Sequence, residues 1–131
     1  MATVPFDKLD GFIWMNGEYV KWADAKIHVL THGLHYASSV FEGERAYGGE
    51  IFKLTEHTER LHESARILGF RIPYSVAEID DVCRTLLKKQ GFLDAYVRPI
   101  SSLAGHTKCA SMKNKKINVA VAIWQWPSYF D

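Results

Sequence analysis

The chain has few cysteines and prolines, no long apolar run, and no excess of charge of either sign. Its 131 residues include 2 cysteines and 4 prolines, and the net charge is +1. Cys83 and Cys109 match no zinc or redox spacing, so free thiols in a reducing compartment are expected. No stretch approaches the ~20 apolar residues of a membrane helix, and the first residues lack a signal-peptide core. The balanced charge provides no footprint for nucleic acid or anionic membranes, and a cytoplasmic protein is predicted.

Turn dipeptides predict two hairpins, and two further strands follow later in the chain. Asn16-Gly17 lies between FIWM and EYV, the pattern of a type I′ turn. Gly48-Gly49 lies between the strand candidates 40–47 and 50–54. Residues 96–103 and 117–124 are the last two strand candidates. The second of these is apolar on both faces, which favours a position at the centre of a sheet.

Two amphipathic helices are predicted between these strands. Thr55 is the expected N-cap of the first helix, and Gly69 is its expected stop. Ser75 and Glu78 form a capping box for the second helix, which ends at Gly91. Because hairpins dominate and the helices are grouped, we predict an α+β domain. Its mostly antiparallel sheet, built from hairpins, would pack against the two helices.

Three histidines form the first group of residues that could carry chemistry. His28, His32 and His35 have H-x3-H-x2-H spacing, which on a helix would place them on one face for zinc. However, Ile27-His28-Val29 appears extended, Gly33 interrupts a helix, and no cysteine or acidic ligand lies nearby. Hydrogen-bonding loop histidines are therefore the favoured interpretation, with a metal site as the alternative.

Arg60 is the second candidate, at the border of the apolar stripe of the first predicted helix. An arginine there can lay its stem on the core and present its planar guanidinium to a phosphate. It could equally form a surface pair with Glu56, four residues earlier. The helix alone favours the surface pair.

The third candidate is Tyr96-Val97-Arg98. Strand alternation places Tyr96 and Arg98 on the same face, where a phenol and a guanidinium can reach one carboxylate. A solvated strand face is the alternative, because Y-x-R is a common pattern. Pro99 predicts that this strand lies at an edge or a bulge.

The order of these segments resembles the branched-chain amino-acid aminotransferases, which are fold-type IV enzymes dependent on pyridoxal 5′-phosphate (PLP). The resemblance rests on HYASSVFEGERAY, followed by EHTERLH, AYVRP and AIWQWPSYF, and covers nearly all of residues 12 to 131. It implies transfer of an amino group between Leu, Ile or Val and 2-oxoglutarate or glutamate. D-amino-acid transaminase and aminodeoxychorismate lyase share the fold and remain alternatives, as does a free-standing metal- or phosphate-binding module.

The resemblance also assigns roles to individual residues. Arg60 matches the arginine that binds the PLP phosphate, which reverses the preference for a surface pair. The positions that match the substrate pocket are Tyr36, Phe41, Gly43, Tyr96, Arg98, Trp126 and Tyr129. The segment around Tyr36 resembles one that reaches toward a neighbouring subunit, which implies a homodimer or a larger homo-oligomer.

The lysine that binds PLP covalently in this family lies in a larger C-terminal domain. No lysine of this sequence occupies the matching motif, so no catalytic residue is expected among these residues. Residues 1–131 are therefore predicted to be the N-terminal small domain of a two-domain enzyme, inactive alone. Glu44 departs from the family pattern, because an apolar residue is more common at its position. The 104–116 loop also matches poorly.

Overall fold

The computed structural model describes residues 4–105 and 116–126. Short 3-10 turns occur at Phe6–Lys8 and Trp22–Asp24. The strands are β1 (Phe12–Met15), β2 (Glu18–Lys21), β3 (Ser39–Phe41), β4 (Glu44–Tyr47), β5 (Glu50–Ile51), β6 (Ala95–Leu103) and β7 (Ile117–Trp124). The helices are α1 (His32–Tyr36), α2 (Leu54–Ile67) and α3 (Val76–Gln90).

Within the described residues the strands form one sheet of seven, in the order β2-β1-β7-β6-β4-β5, and β3 also pairs with β6. Every pairing is antiparallel. Helices α2 and α3 pack against each other and against the sheet. Their apolar stripes bury Leu61, Ile79 and Leu86 completely, together with Val97 and Val119 of the sheet. The predicted α+β architecture is confirmed, and β7 lies inside the sheet as expected.

Both predicted hairpin turns form. Asn16 and Gly17 have φ values of 52° and 95°, as a type I′ turn requires at both central positions. The Asn16 side chain also bonds to β7: its Oδ1 accepts from the Val119 N–H at 2.8 Å, and its Nδ2 donates to Asn118 Oδ1 at 3.1 Å. The second hairpin is shorter than expected, because the stretch 40–47 divides into β3 and β4 around Glu42 and Gly43.

The two long helices begin by different means. The capping box of α3 is confirmed, since the Glu78 N–H donates to Ser75 Oγ at 3.1 Å. The predicted Thr55 cap of α2 is wrong. That helix begins at Leu54 after Lys53, which has a φ of 57°, and its N-cap side chain makes no capping bond. The Thr55 hydroxyl instead donates to Asp80 of α3 at 2.7 Å, because tertiary packing offers it a buried carboxylate.

Pro99 lies on an interior strand, so the expected edge position is wrong. β6 pairs with β7 along its whole length, and on its other side with β4 and then β3. Pro99 lies opposite the break between those two strands, where its carbonyl accepts from the Glu42 N–H at 3.1 Å. The missing proline N–H therefore falls where the ladder is already interrupted.

Candidate functional site

Three of the predicted pocket residues meet beside the break between β3 and β4. The Arg98 guanidinium donates through Nη2 to Tyr96 Oη at 2.6 Å, so the two side chains share a strand face as expected. The Arg98 guanidinium carbon also lies 4.2 Å from the centre of the Phe41 ring, in cation–π geometry. Arg98 Nε is buried and has no hydrogen-bond partner among the described residues. The cluster therefore holds a cation with one unused donor.

Gly43 allows this cluster to assemble. A Cβ at this position would lie 2.3 Å from Tyr96 Oη, closer than two such atoms can approach. Its φ is not in the left-handed region, so space rather than backbone conformation is what requires glycine here. A larger residue would push the phenol away from Arg98.

Aromatic rings of the last strand form a second wall of the cluster. Trp126 contacts the Tyr96 ring edge-to-face at 4.7 Å between centroids, and Trp124 lies 5.0 Å from Tyr96. Trp124 was missed from the sequence, where it appeared only as the end of an apolar strand. Its pairing with Tyr96 across β6 and β7 brings it to the site. A cleft of about 670 Å³ adjoins these tryptophans, bounded also by Phe6 and Trp22.

Arg60 of α2 is held by a buried carboxylate rather than by Glu56. It donates to Glu42 through Nε at 3.0 Å and through Nη2 at 2.7 Å, while its side chain remains 68% exposed. His57 Nδ1 lies 2.6 Å from the same carboxylate. Burial alone would raise the pKa of Glu42, but hydrogen bonds and charge from Arg60 and His57 hold that pKa below its usual value. Glu56 instead lies 3.7 Å from Lys53.

The dipeptide Glu42-Gly43 joins the two groups. Glu42 fixes the guanidinium of Arg60, and the adjacent Gly43 provides the space for Tyr96. The Glu42 backbone is in turn bonded to β6 at Pro99. Consecutive residues between β3 and β4 thus position an exposed cation on α2 and a buried cation on β6.

The three histidines bond to their own loop. The Leu30 N–H donates to His28 Nδ1 at 3.0 Å, His32 Nδ1 lies 2.6 Å from Ser38 Oγ, and His35 Nε2 lies 2.8 Å from the Val29 carbonyl. In the described part of the chain no group of three or more metal-ligating residues is arranged around a common point. The prediction that Gly33 interrupts a helix is wrong, because it lies inside α1.

Gly33 has a packing role in that helix. A Cβ there would lie 3.0 Å from the Ser102 Cβ, so α1 and β6 are in close contact. Tyr36, at the end of α1, is 73% exposed, and its ring lies 4.5 Å from that of His32. The remaining predicted pocket residue, Tyr129, lies outside the described residues.

Glu44 is buried without a partner. Its side chain points into the core beneath β4, its exposure is 1%, and neither carboxylate oxygen has a hydrogen-bond partner among the described residues. Burial, together with the charges of Glu42 and Asp80, raises the pKa of Glu44 to about 8.

Comparison with known proteins identifies the family. Residues 39–131 match the family model described as amino-transferase class IV, which is more than half of the chain. The chain belongs to the class IV aminotransferase family. A probable branched-chain-amino-acid aminotransferase of Rickettsia felis is 50% identical over 100 residues, covering 76% of this chain and 34% of that protein.

Solved structures of the family share the fold. The branched-chain amino acid aminotransferase of Escherichia coli superposes with a TM-score of 0.85 at 36% identity, over 94% of this chain and 42% of that one. The enzyme of T.th., solved in complex with N-(5′-phosphopyridoxyl)-L-glutamate, gives a TM-score of 0.81 at 38% identity, over 89% of this chain and 42% of that one. The chain thus spans less than half the length of these relatives. Among the described residues, no helix has the length and apolar character needed to cross a membrane.

Proposed function

We propose that these residues form the N-terminal small domain of a longer PLP-dependent aminotransferase. The proposed reaction transfers the amino group between Leu, Ile or Val and 2-oxoglutarate. The names of the similar proteins support this substrate class, and their greater length supports a further domain beyond the aligned region. The cytoplasmic location expected from the sequence remains a prediction.

The observation that carries the proposal is the cluster of Arg98, Tyr96 and Phe41. A transaminase of this kind must accept a neutral branched side chain in one half-reaction and a second carboxylate in the other. Phe41 and Trp126 offer apolar surface for the first, and the unused Nε of Arg98 offers a charge-assisted donor for the second. The Tyr96 hydroxyl accepts from Arg98 and can donate its own proton to the same carboxylate.

Arg60 suits the PLP phosphate. Its guanidinium is fixed on one edge by Glu42 and largely exposed, so N–H donors remain for an anion. When bound, PLP withdraws electrons from the Cα of the amino acid. The residues described here would bind and orient the phosphate and the substrate, while the lysine expected in the further domain would move the proton.

A homodimer is part of the proposal. Leu30, Leu34 and Tyr36 are 70%, 61% and 73% exposed, so the α1 segment presents apolar surface at the side of the domain. Apolar surface grouped in this way is typical of protein interfaces. Sedimentation of the full-length protein would measure the oligomeric state, and a monomer would contradict the proposal.

Arg98→Met in the full-length protein tests the substrate assignment. Glutamate should lose about 2–4 kcal/mol of transition-state binding, because its second carboxylate loses its charged partner. Leucine should change far less, because it makes no such pair. Single-turnover rates with each amino acid measure both effects. Arg66→Met is the matched control, since Arg66 pairs only with Glu63 on the exposed side of α2.

Two outcomes would contradict the assignment. Equal loss for both amino acids would mean that Arg98 serves their common α-carboxylate or the shape of the pocket. No loss for either would remove Arg98 from the substrate site altogether.

A further inference from the structure

We propose that Glu42 is a positioning residue that sets the orientation of Arg60 for the phosphate group of the cofactor. This inference rests on the proposed function, because it requires Arg60 to be the phosphate anchor. It adds a second residue, one that would not touch the phosphate itself. It also predicts how cofactor recognition fails when that residue changes.

The contacts divide the guanidinium into two edges. Glu42 takes the edge formed by Nε and one Nη2 proton, with distances of 3.0 and 2.7 Å. An arginine has five N–H donors in a fixed planar fork, so three remain on the other edge and beside it. A phosphate can therefore be bound in a bidentate manner without disturbing the Glu42 pair.

Arg60 needs such a partner because its side chain is long and 68% exposed. Without a second contact it would sample many rotamers, and phosphate binding would have to order it. Glu42 has the opposite character. It is 5% exposed, its N–H donates to Pro99 of the central strand β6, and His57 contacts its carboxylate at 2.6 Å. The rigid sheet thus fixes a carboxylate, and the carboxylate fixes the exposed arginine.

The charge of Glu42 opposes this benefit. A carboxylate next to Arg60 lowers the positive potential that a phosphate experiences. The two effects predict opposite signs for Glu42→Gln: lost orientation weakens phosphate binding, whereas lost negative charge strengthens it. The sign of the change therefore decides between them.

The experiment uses the full-length protein, stripped of cofactor and titrated with either PLP or pyridoxal, which lacks the phosphate. Glu42→Gln should weaken PLP binding roughly 10-fold, the lower end of losses seen when supporting residues around a ligand group are removed. Pyridoxal affinity should stay within about twofold of the parent. The ³¹P resonance of bound PLP should shift, reporting a changed phosphate environment.

Two further variants make the result decisive. Glu44→Gln is the matched control, because it makes the same acid-to-amide change two residues away, at a carboxylate with no hydrogen bond to Arg60. It should leave the preference for PLP over pyridoxal unchanged. Arg60→Met tests the underlying assignment and should abolish that preference. If Glu42→Gln does not fold, Glu42→Asp takes its place and should show the same selective loss.

Three results would overturn the inference. Equal weakening of PLP and pyridoxal in Glu42→Gln would mean that Glu42 only stabilises the fold. Unchanged or tighter PLP binding would mean that charge, not orientation, governs the site. If Arg60→Met keeps the phosphate preference, the proposed anchor is itself wrong. If Arg60→Met loses the preference while Glu42→Gln keeps it, only the present inference fails.

Discussion

Glu44 should make the stability of this domain depend on pH. In the folded chain its carboxyl is 1% exposed, and neither oxygen has a hydrogen-bond partner among the described residues. The neighbouring Asp80 carboxylate is already engaged by Thr55 and by Thr58, whose hydroxyl donates at 2.5 Å. Glu44 is therefore held among carboxylates and apolar groups, with Cys83 of α3 also close enough for its thiol pKa to be raised by Glu44.

The magnitude follows from the pKa. Burial, with the charges of Glu42 and Asp80, raises the pKa of Glu44 from 4.5 to about 8. The folded state thus binds the proton more tightly than the unfolded state, and stability falls as pH rises from 4.5 to about 8. At 1.36 kcal/mol for each pKa unit, the full loss is at most about 5 kcal/mol. That is comparable to the total stability of a small domain.

Urea unfolding of the 131-residue chain at pH 5, 7 and 9 would measure this effect. Glu44→Gln carries no charge at any of these pH values, so its stability should match the parent near pH 5. By pH 9 it should exceed the parent by several kcal/mol. Comparing the two chains at each pH cancels the titration of all other groups. Glu63→Gln is the control, because this glutamate of α2 is exposed and paired with Arg66.

Parallel pH profiles for the parent and Glu44→Gln would refute the reasoning, since they would show that Glu44 ionises without cost in the folded chain. A control that reproduced the effect would refute it as well, because the cause would then be general charge rather than burial.

Two further predictions concern the site. Gly43→Ala in the full-length protein should displace the Tyr96 hydroxyl from Arg98 and slow single-turnover transamination, while PLP affinity measured by titration stays unchanged; unaltered turnover would contradict this. The 131-residue chain, mixed with PLP and reduced with borohydride, should show no single lysine labelled stoichiometrically in a mass spectrum, because none of its lysines matches the family's cofactor lysine. One uniquely labelled lysine would show that this expectation is wrong.

Local signals in the sequence predicted the parts of the fold that depend on neighbouring residues. The type I′ turn at Asn16-Gly17 and the capping box of Ser75 and Glu78 involve residues at most three positions apart, and both form. The shared strand face of Tyr96 and Arg98 also follows from strand alternation alone. These features required no knowledge of the tertiary arrangement.

Features that depend on distant pairing were not predictable in this way. The partner of Arg60 is 18 residues away on the sheet, whereas the helix suggested Glu56. Thr55 has the chemistry of an N-cap, but a buried carboxylate on α3 competes for its hydroxyl. Pro99 suggested an edge strand because the break between β3 and β4 leaves no local signal. In each case a contact across the fold outweighed the local preference.

The bonds from Asn16 to β7 have a consequence for synthesis of the chain on the ribosome. Asn16 and Val119 are 103 residues apart, and β1 has no sheet neighbour other than β2 and β7 in the described structure. At 5–20 residues per second, roughly 5 to 20 seconds of translation separate the two partners. Throughout that interval the first hairpin has one strand edge without its partner. The N-terminal end of the chain, although made first, is therefore the part that must wait for the sheet to be completed.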